Sequence, residues 1–215
     1  ISSAASDVYK RQGLIYIQTA SSMIPAKVLG PDAGDHVLDM CAAPGSKTTH
    51  IAALMGNRGS IDAWDVYPHK IKLIKDNAKR LGISIIHTEV RDSVKPLPFL
   101  YETYDKVLLD APCSGLGVLG HKVELRWRRK ESDLSVFPPL QKQLIEQAAK
   151  YTKTGGVLVY STCTLNPDEN EHIINEFLSL HSEFAPEEFN FPVLGKSLNG
   201  MMTLYPDLVL SLIHI

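Results

Sequence analysis

Short runs of β-branched and apolar residues alternate along this chain with segments of helical periodicity. Strands that alternate with helices form parallel sheets, and the helices cover both faces of the sheet. We therefore predict an α/β fold with a largely parallel sheet, in one domain over residues 13–207. The predicted strands lie at residues 36–41, 59–65, 84–90, 104–110 and 156–161, and the predicted helices at 47–55, 68–81, 139–151 and 167–180.

The two ends of the chain lack this pattern. Residues 1–12 show no clear periodicity and no Met opens the sequence, while residues 208–215 form an abrupt apolar ending. We predict that both ends are irregular, and we interpret them as non-native sequence flanking a gene fragment; a natural short tail is the alternative. The chain as a whole has a globular composition, because 44% of its residues are hydrophobic and 21% are charged.

The cysteine content excludes two classes of small stabilised domain. The three cysteines are widely spaced and form no Cys-x-x-Cys pair, so we expect neither a disulfide framework nor a structural zinc site. The eight histidines match no metal-binding spacing, and no run of 18 apolar residues could span a membrane. We therefore expect a cytoplasmic protein, with free thiols, no metal and no membrane partner.

Positive charge is concentrated in one part of the chain. The net charge is −2 overall, but it is +5 over residues 1–165 and −7 over residues 166–215. The densest basic segment, residues 122–130, which we call the basic loop, also carries a Trp. Such a loop suits a phosphate backbone with a base to stack on, although a solvated surface loop is the alternative. The residues predicted to bind RNA there are Arg126, Trp127, Arg128 and Arg129.

The first segment with a predicted binding role joins a strand to a helix. Ligands of open parallel sheets bind beyond the carboxyl ends of the strands, and small residues there let backbone N–H groups approach a ligand closely. Ser46 stands where a phosphate loop needs Gly, and no G-x-G-x-x-G pattern is present. We predict that this segment binds a cofactor and is more than a tight turn. Its residues are Cys41, Ala42, Ala43, Pro44, Gly45, Ser46 and Lys47.

Two aspartates follow the next predicted strands. Asp65 ends the second strand, where an acid typically binds ribose hydroxyls, and Asp92 follows the third, where it suits an adenine amino group. Either aspartate alone could equally cap a helix. Together with the first segment they indicate an adenosine ligand without a pyrophosphate, which suggests S-adenosylmethionine.

Two cysteines follow the last two predicted strands. Cys113 lies in Asp110-Ala-Pro-Cys-Ser-Gly, and Cys163 lies in Ser-Thr-Cys-Thr at the end of the fifth strand. A single cysteine is most often structural, but two at neighbouring strand ends point to covalent catalysis. A thiol with a pKa of about 8.5 needs activation to act as the nucleophile.

These motifs resemble those of the Sun/NOL/NOP family of RNA cytosine-C5 methyltransferases, and most of all its bacterial members that act on small-subunit ribosomal RNA. The similarity covers residues 13–205 and rests on the segments at 41–47, 110–115 and 161–170. The Gly13 to Gln18 segment also resembles a family motif, but Thr19 replaces the usual Asp. The family's N-terminal RNA-binding domain and its last strand are not recognisable, which fits a fragment.

The resemblance implies a Rossmann-like class I methyltransferase fold that lacks its last strand, and S-adenosylmethionine as the cofactor. It places the cofactor on the 41–47 segment, Asp65, Asp92 and Asp110. It makes Cys163 the nucleophile that adds to cytosine C6, and Cys113 the residue that assists release. Asp110 would stabilise the adduct by a hydrogen bond to the base. We expect a monomer that acts on single-stranded or splayed RNA.

Two alternatives remain open at this point. A Rossmann-like module that only binds the cofactor or RNA would need neither thiol. A methyltransferase acting on another nucleic acid, such as DNA, would instead use the thiol of the Pro-Cys pair, here Cys113, as the nucleophile.

Overall fold

The structure is a computed structural model that describes residues 3–119, 127, 131–191, 195–205 and 213–214. Its main strands are β1 (His36–Asp39), β2 (Ser60–Asp65), β3 (Ile86–Val90), β4 (Tyr104–Asp110) and β5 (Thr152–Ser161). Its α-helices are α1 (Ser3–Arg11), α2 (Ala20–Leu29), α3 (Ser46–Leu54), α4 (Pro68–Arg80), α5 (Phe137–Tyr151) and α6 (Glu171–Leu180). Four two-residue strands follow: β6 (Asn190–Phe191), β7 (Gly195–Lys196), β8 (Thr203–Leu204) and β9 (Ile213–His214).

The main strands form one sheet in the order β3-β2-β1-β4-β5. Every pairing in it is parallel, which confirms the predicted parallel sheet. The strand order reverses between β1 and β4, and parallel sheets bind ligands at such a switch point. The carboxyl ends of β1 and β4, which are Asp39 and Asp110, therefore mark the place where a site is expected.

Alternate residues of each strand bury themselves in different cores, as the two-residue period of a strand requires. On β1, Val37 belongs to a core built with α2 and α3, whereas Leu38 belongs to a core built with α5 and α6. A third cluster joins Ile71 and Ile74 of α4 to Ala63 of β2. Helices thus cover both faces of the sheet.

The amino-terminal end differs from the prediction. Residues Ser3–Arg11 form α1, where irregular structure was expected. The segment contains no Gly or Pro, and Lys10 and Arg11 lie in its last turn, where positive charge interacts favourably with the helix dipole. Helix α2 also goes beyond the predicted elements, although it contains Pro25.

The predicted helix over residues 167–180 is interrupted near its start. Pro167–Glu169 forms a 3₁₀ turn, and Asn170 then leaves the helical conformation at φ −124° and ψ −100° before α6 begins. The Asn170 amide donates to the carbonyl of Thr164 at 2.9 Å and its oxygen accepts the hydroxyl of Thr162 at 2.6 Å. These bonds compete with the helical backbone and hold the break in place.

Strand β5 forms one edge of the sheet. Within the described ranges its only strand partner is β4, and a groove of about 940 Å³ runs along its other side. Half-buried Val157 and Leu158 line this groove together with Phe177 of α6. Among the residues that the structure describes, the predicted apolar edge is therefore present. Ile213–His214 pairs with Thr203–Leu204 and does not extend the sheet.

Candidate active site

A cavity of about 340 Å³ opens at the switch point of the sheet, beyond β1, β4 and β5. Its volume lies within the range typical of small-molecule sites. Asp39, Asp110 and Cys163 bring the ends of these strands to its wall. Six of the seven residues predicted to bind the cofactor also line it: Cys41, Ala42, Ala43, Pro44, Ser46 and Lys47.

Gly45, the seventh, has a different role. It precedes α3 at φ +96°, in the left-handed region, and a Cβ there would lie 3.2 Å from the Cα of Ile74 on α4. A side chain at this position would therefore be strained and would press on α4. The glycine lets the chain turn sharply from the strand end, so that the amino terminus of α3 faces the cavity.

Lys47 and Asp110 form an ion pair at the wall of the cavity. The Lys47 ammonium donates to Oδ2 of Asp110 at 2.6 Å, and the Ser161 hydroxyl donates to Oδ1 at 2.8 Å. Burial acts to lower the pKa of Lys47, but Asp110, Asp39 and a charged Cys163 outweigh it and raise that pKa. Lys47 therefore stays protonated and brings a positive charge to the cavity wall that Cys163 shares.

The two predicted catalytic cysteines meet across the ends of β4 and β5. Their sulfurs lie 3.2 Å apart, and the backbone N–H of Cys163 donates to Sγ of Cys113 at 3.3 Å. The hydrogen bond to Cys163, together with burial, raises the pKa of the Cys113 thiol well above its ordinary value. Cys113 is thus the sulfur that keeps its proton, and Cys163 is the one that faces the cavity.

Cys41 is unsuited to be a nucleophile. Burial raises the pKa of its thiol, and the carboxylates of Asp39, Asp110 and Asp65 raise it further. A thiol in such surroundings stays protonated and unreactive. Its contribution to the site is a small side chain in the cavity wall.

Asp39 is a residue of the site that the sequence prediction missed. It is 1% exposed, lines the cavity, and accepts the Thr48 hydroxyl on Oδ2 at 2.7 Å. Its Oδ1 atom accepts no hydrogen bond from the described residues. Burial raises the pKa of Asp39 to about 7, because it outweighs the Thr48 hydrogen bond. The position at the end of a strand, before the 41–47 segment, was the available signal.

Asp65 and Asp92 lie at the same edge of the sheet but outside the lining of this cavity. Asp65 ends β2, is 7% exposed, and accepts the backbone N–H of Tyr67 at 3.0 Å. Asp92 follows β3 and accepts the backbone N–H of Val94 at 3.3 Å. Both therefore stabilise turns, and their predicted contacts with a cofactor remain a prediction.

The amino terminus of α2 adds a second group of residues to the cavity. Thr19, Ser21 and Ser22 line it, and the Ser22 hydroxyl donates to the carbonyl of Thr19 at 2.8 Å. In the sequence, Thr19 is notable only as a departure from the Asp of the family motif. The helix itself was not predicted, so its approach to the cavity could not be foreseen.

Three of the four residues predicted to bind RNA, Arg126, Arg128 and Arg129, lie outside the described residues. Trp127 is described, and its side chain is 87% exposed. Across the described ranges, no cluster of three or more His, Cys, Asp or Glu side chains could hold a metal ion. None of the helices in those ranges is both long enough and apolar enough to cross a membrane.

Comparison with known proteins places this architecture in a family. The sequence profile described as 16S rRNA methyltransferase RsmB/F matches residues 26–208. The probable ribosomal RNA small subunit methyltransferase B of Bacillus subtilis (strain 168) is 43% identical over 178 residues, covering 82% of this chain and 40% of that protein. The chain therefore spans less than half the length of this relative.

Solved structures agree with the family and with the fold. The crystal structure of NSun6 from Pyrococcus horikoshii superposes with a TM-score of 0.83 at 35% identity, over 100% of this chain and 55% of that one. A SAM-dependent O-methyltransferase from Thermotoga maritima, 16% identical, superposes with a TM-score of 0.56 over 100% of this chain and 70% of that one. These matches confirm the Rossmann-like methyltransferase fold, and by profile, identity and motifs the chain belongs to the RsmB/F family of 16S rRNA methyltransferases.

Proposed function

We propose that this chain is the methyltransferase domain of an RNA cytosine-C5 methyltransferase that uses S-adenosylmethionine and acts on small-subunit ribosomal RNA. The family profile and the RsmB relative support ribosomal RNA as the substrate. The NSun6 structure, solved with the cofactor analogue SFG, supports the choice of cofactor. A cytoplasmic, monomeric protein remains our prediction.

The cavity fits the cofactor in its chemistry. Small side chains of the 41–47 segment leave room for a ligand, and the unpartnered Oδ1 of buried Asp39 can accept from a cationic group such as an ammonium. The Thr19 and Ser21 hydroxyls lie in the same lining. When bound, the cofactor would supply an electrophilic methyl group.

The other steps of the proposed reaction are carried out by side chains of the site. The Cys163 thiolate adds to cytosine C6, and this bond makes C5 electron-rich enough to take the methyl group. Asp110, fixed by Lys47 and Ser161, accepts a hydrogen bond from the protonated ring N3 and stabilises the adduct. Loss of the C5 proton to water then restores the C5–C6 double bond, and the electron pair of the broken C6–S bond leaves with Cys163 as a thiolate. Cys113, which keeps its proton, assists this release by donating a hydrogen bond to the departing Cys163 sulfur.

One observation carries this proposal: the sulfurs of Cys113 and Cys163 lie 3.2 Å apart, and Cys163 shares the cavity wall with Lys47 and Asp110. A module that only binds a ligand has no need of two thiols in contact. The geometry also assigns different tasks to them, because only Cys163 lines the cavity within the described residues.

The test is covalent trapping on RNA that contains 5-fluorocytosine, read on a denaturing gel with mass mapping of the bonded cysteine. Wild-type protein and Cys113→Ala should form the adduct through Cys163, and on ordinary RNA Cys113→Ala should remain bonded to methylated product. Cys163→Ala should give neither adduct nor methylation. Thr152→Val, which removes a buried hydroxyl from the far end of β5, is the matched control and should behave as wild type.

Two results would contradict the proposal. An adduct through Cys113 in the Cys163→Ala protein would reverse the roles and favour the mechanism of DNA enzymes. A protein that binds cofactor and RNA but never forms an adduct would be a binding module.

A further inference from the structure

A buried carboxylate lies directly behind the two cysteines. Glu169 ends the 3₁₀ turn and is 0% exposed. Its Oε2 accepts the backbone N–H of Ser114 at 2.8 Å and the amide of Gln141 at 3.1 Å, and its Oε1 accepts the amide of Asn166 at 3.2 Å. Among the described residues no cation pairs with it, and three N–H donors satisfy its oxygens. Burying a carboxylate is costly, which makes a purely space-filling role a poor explanation.

Gln141 extends this contact to the other side of Cys113. Its amide, on α5 and 0% exposed, also donates to the carbonyl of Pro112 at 2.9 Å. The carbonyl before Cys113 and the N–H after it are therefore both held by the Glu169–Gln141 pair. Held at both neighbouring peptide groups, the backbone at Cys113 has little freedom to rotate.

The same carboxylate belongs to the loop that carries Cys163. Residues 163–170 connect Cys163 to Glu169, and within that loop the Thr164 hydroxyl bonds to the Ser114 hydroxyl at 2.7 Å. The backbone N–H of Gly117 donates to the carbonyl of Cys163 at 2.9 Å. Glu169 thus fixes the loop after β4 against the loop after β5. The distance between the two sulfurs depends on this contact between the loops.

We propose that Glu169 is a positioning residue that, through Gln141 and Ser114, holds Cys113 in contact with Cys163. In terms of the proposed function, on which this role rests, Glu169 governs the release of the covalent adduct. It is fully buried and does not line the cavity, so it acts by placing the Cys113 thiol. A displacement of about 1 Å is enough to slow such a step by about a hundredfold.

The length of the side chain matters more than its charge for this role. Glu169→Gln keeps the reach, so one oxygen can still accept from both Ser114 and Gln141. Glu169→Asp keeps the charge but is one methylene shorter and cannot reach Ser114. A positioning role therefore predicts that the contact between the two thiols is best kept in wild type, less well in Glu169→Gln and least in Glu169→Asp. A need for buried negative charge alone predicts instead that Glu169→Asp keeps it better than Glu169→Gln.

The first measurement needs neither RNA nor cofactor. Phenylarsine oxide condenses with two neighbouring thiols, forming two As–S bonds and releasing water, and mass mapping shows which thiols are bridged. We expect capture of the Cys113–Cys163 pair to be near the wild-type rate in Glu169→Gln and at least ~10-fold slower in Glu169→Asp. Thr152→Val, the matched control for a lost buried hydrogen bond, should leave capture unchanged. If Glu169→Asp does not fold, Gln141→Leu, which frees the carbonyl of Pro112, provides the same test.

The second measurement reads release of the adduct. Glu169→Asp should retain methylated RNA as Cys113→Ala does, with its KM for cofactor unchanged. Unaltered dithiol capture in folded Glu169→Asp and Gln141→Leu would overturn the inference, as would equal slowing in Thr152→Val. If capture falls in Glu169→Asp but Cys113→Ala retains no RNA, the positioning role holds and the assigned role of Cys113 in the proposed function is wrong.

Discussion

Asp39 should make the folded state less stable as the pH rises from about 4 to about 7. Burial raises its pKa to about 7 in the folded protein, while an unfolded Asp has a pKa of about 3.9. The folded state therefore keeps a proton that the unfolded state loses between these values. Stability is highest below the unfolded pKa, and it falls by about 1.4 kcal/mol per pH unit, or about 4 kcal/mol across the window.

Replacing Asp39 by Asn removes this titration while keeping the shape and an acceptor for the Thr48 hydroxyl. The free energy of unfolding of Asp39→Asn, relative to wild type, should rise by about 4 kcal/mol between pH 4 and pH 7.5. Urea denaturation followed by the fluorescence of buried Trp64 measures it. Asp32→Asn, at an exposed carboxyl, is the control for loss of a charge. Parallel curves for Asp39→Asn and wild type across this range would refute the reasoning.

Two further predictions concern RNA binding by the basic loop and His181, which follows the last residue of α6. Replacing the three arginines of the basic loop by Gln should weaken RNA binding and reduce the slope of log K against log salt concentration by about 2. The affinity for the cofactor should stay unchanged, and an equal loss of RNA and cofactor affinity would indicate a structural role. Burial lowers the pKa of His181, but hydrogen bonds to Glu183 and Glu146 outweigh it and raise that pKa. The contribution of His181 to stability is therefore complete below pH ~6.5 and is lost as the pH rises through its raised pKa. The Tm of wild type should exceed that of His181→Gln by less at pH 8.5 than at pH 6. A Tm difference between the two proteins that stays constant from pH 6 to pH 8.5 would contradict this prediction.

Sequence reasoning reaches furthest for residues at or just beyond a strand end. Asp110 ends β4 and Cys163 lies two residues beyond β5, so a parallel sheet brings both to one edge, where the first turn of α3 adds Lys47. The contact between Lys47 and Asp110 was not predicted, because the pair is 63 residues apart in the chain. Which side chains meet across that edge depends on the strand order, and alternation alone does not determine that order.

The broken helix before α6 shows why the remaining residues of the site escape sequence analysis. Acids in a first turn after Pro are typical of a helix start, so Asp168 and Glu169 predict a continuous helix. In the structure Glu169 turns inward to Ser114, 55 residues away, and the 3₁₀ turn is the geometry that lets it do so. Local propensity and the distant contact favour different conformations here, and the contact prevails because it satisfies buried donors beside the cysteines. Conflict between a local rule and the observed backbone is expected where the fold serves a site, and in this chain it coincides with the residue that joins the loops carrying Cys113 and Cys163.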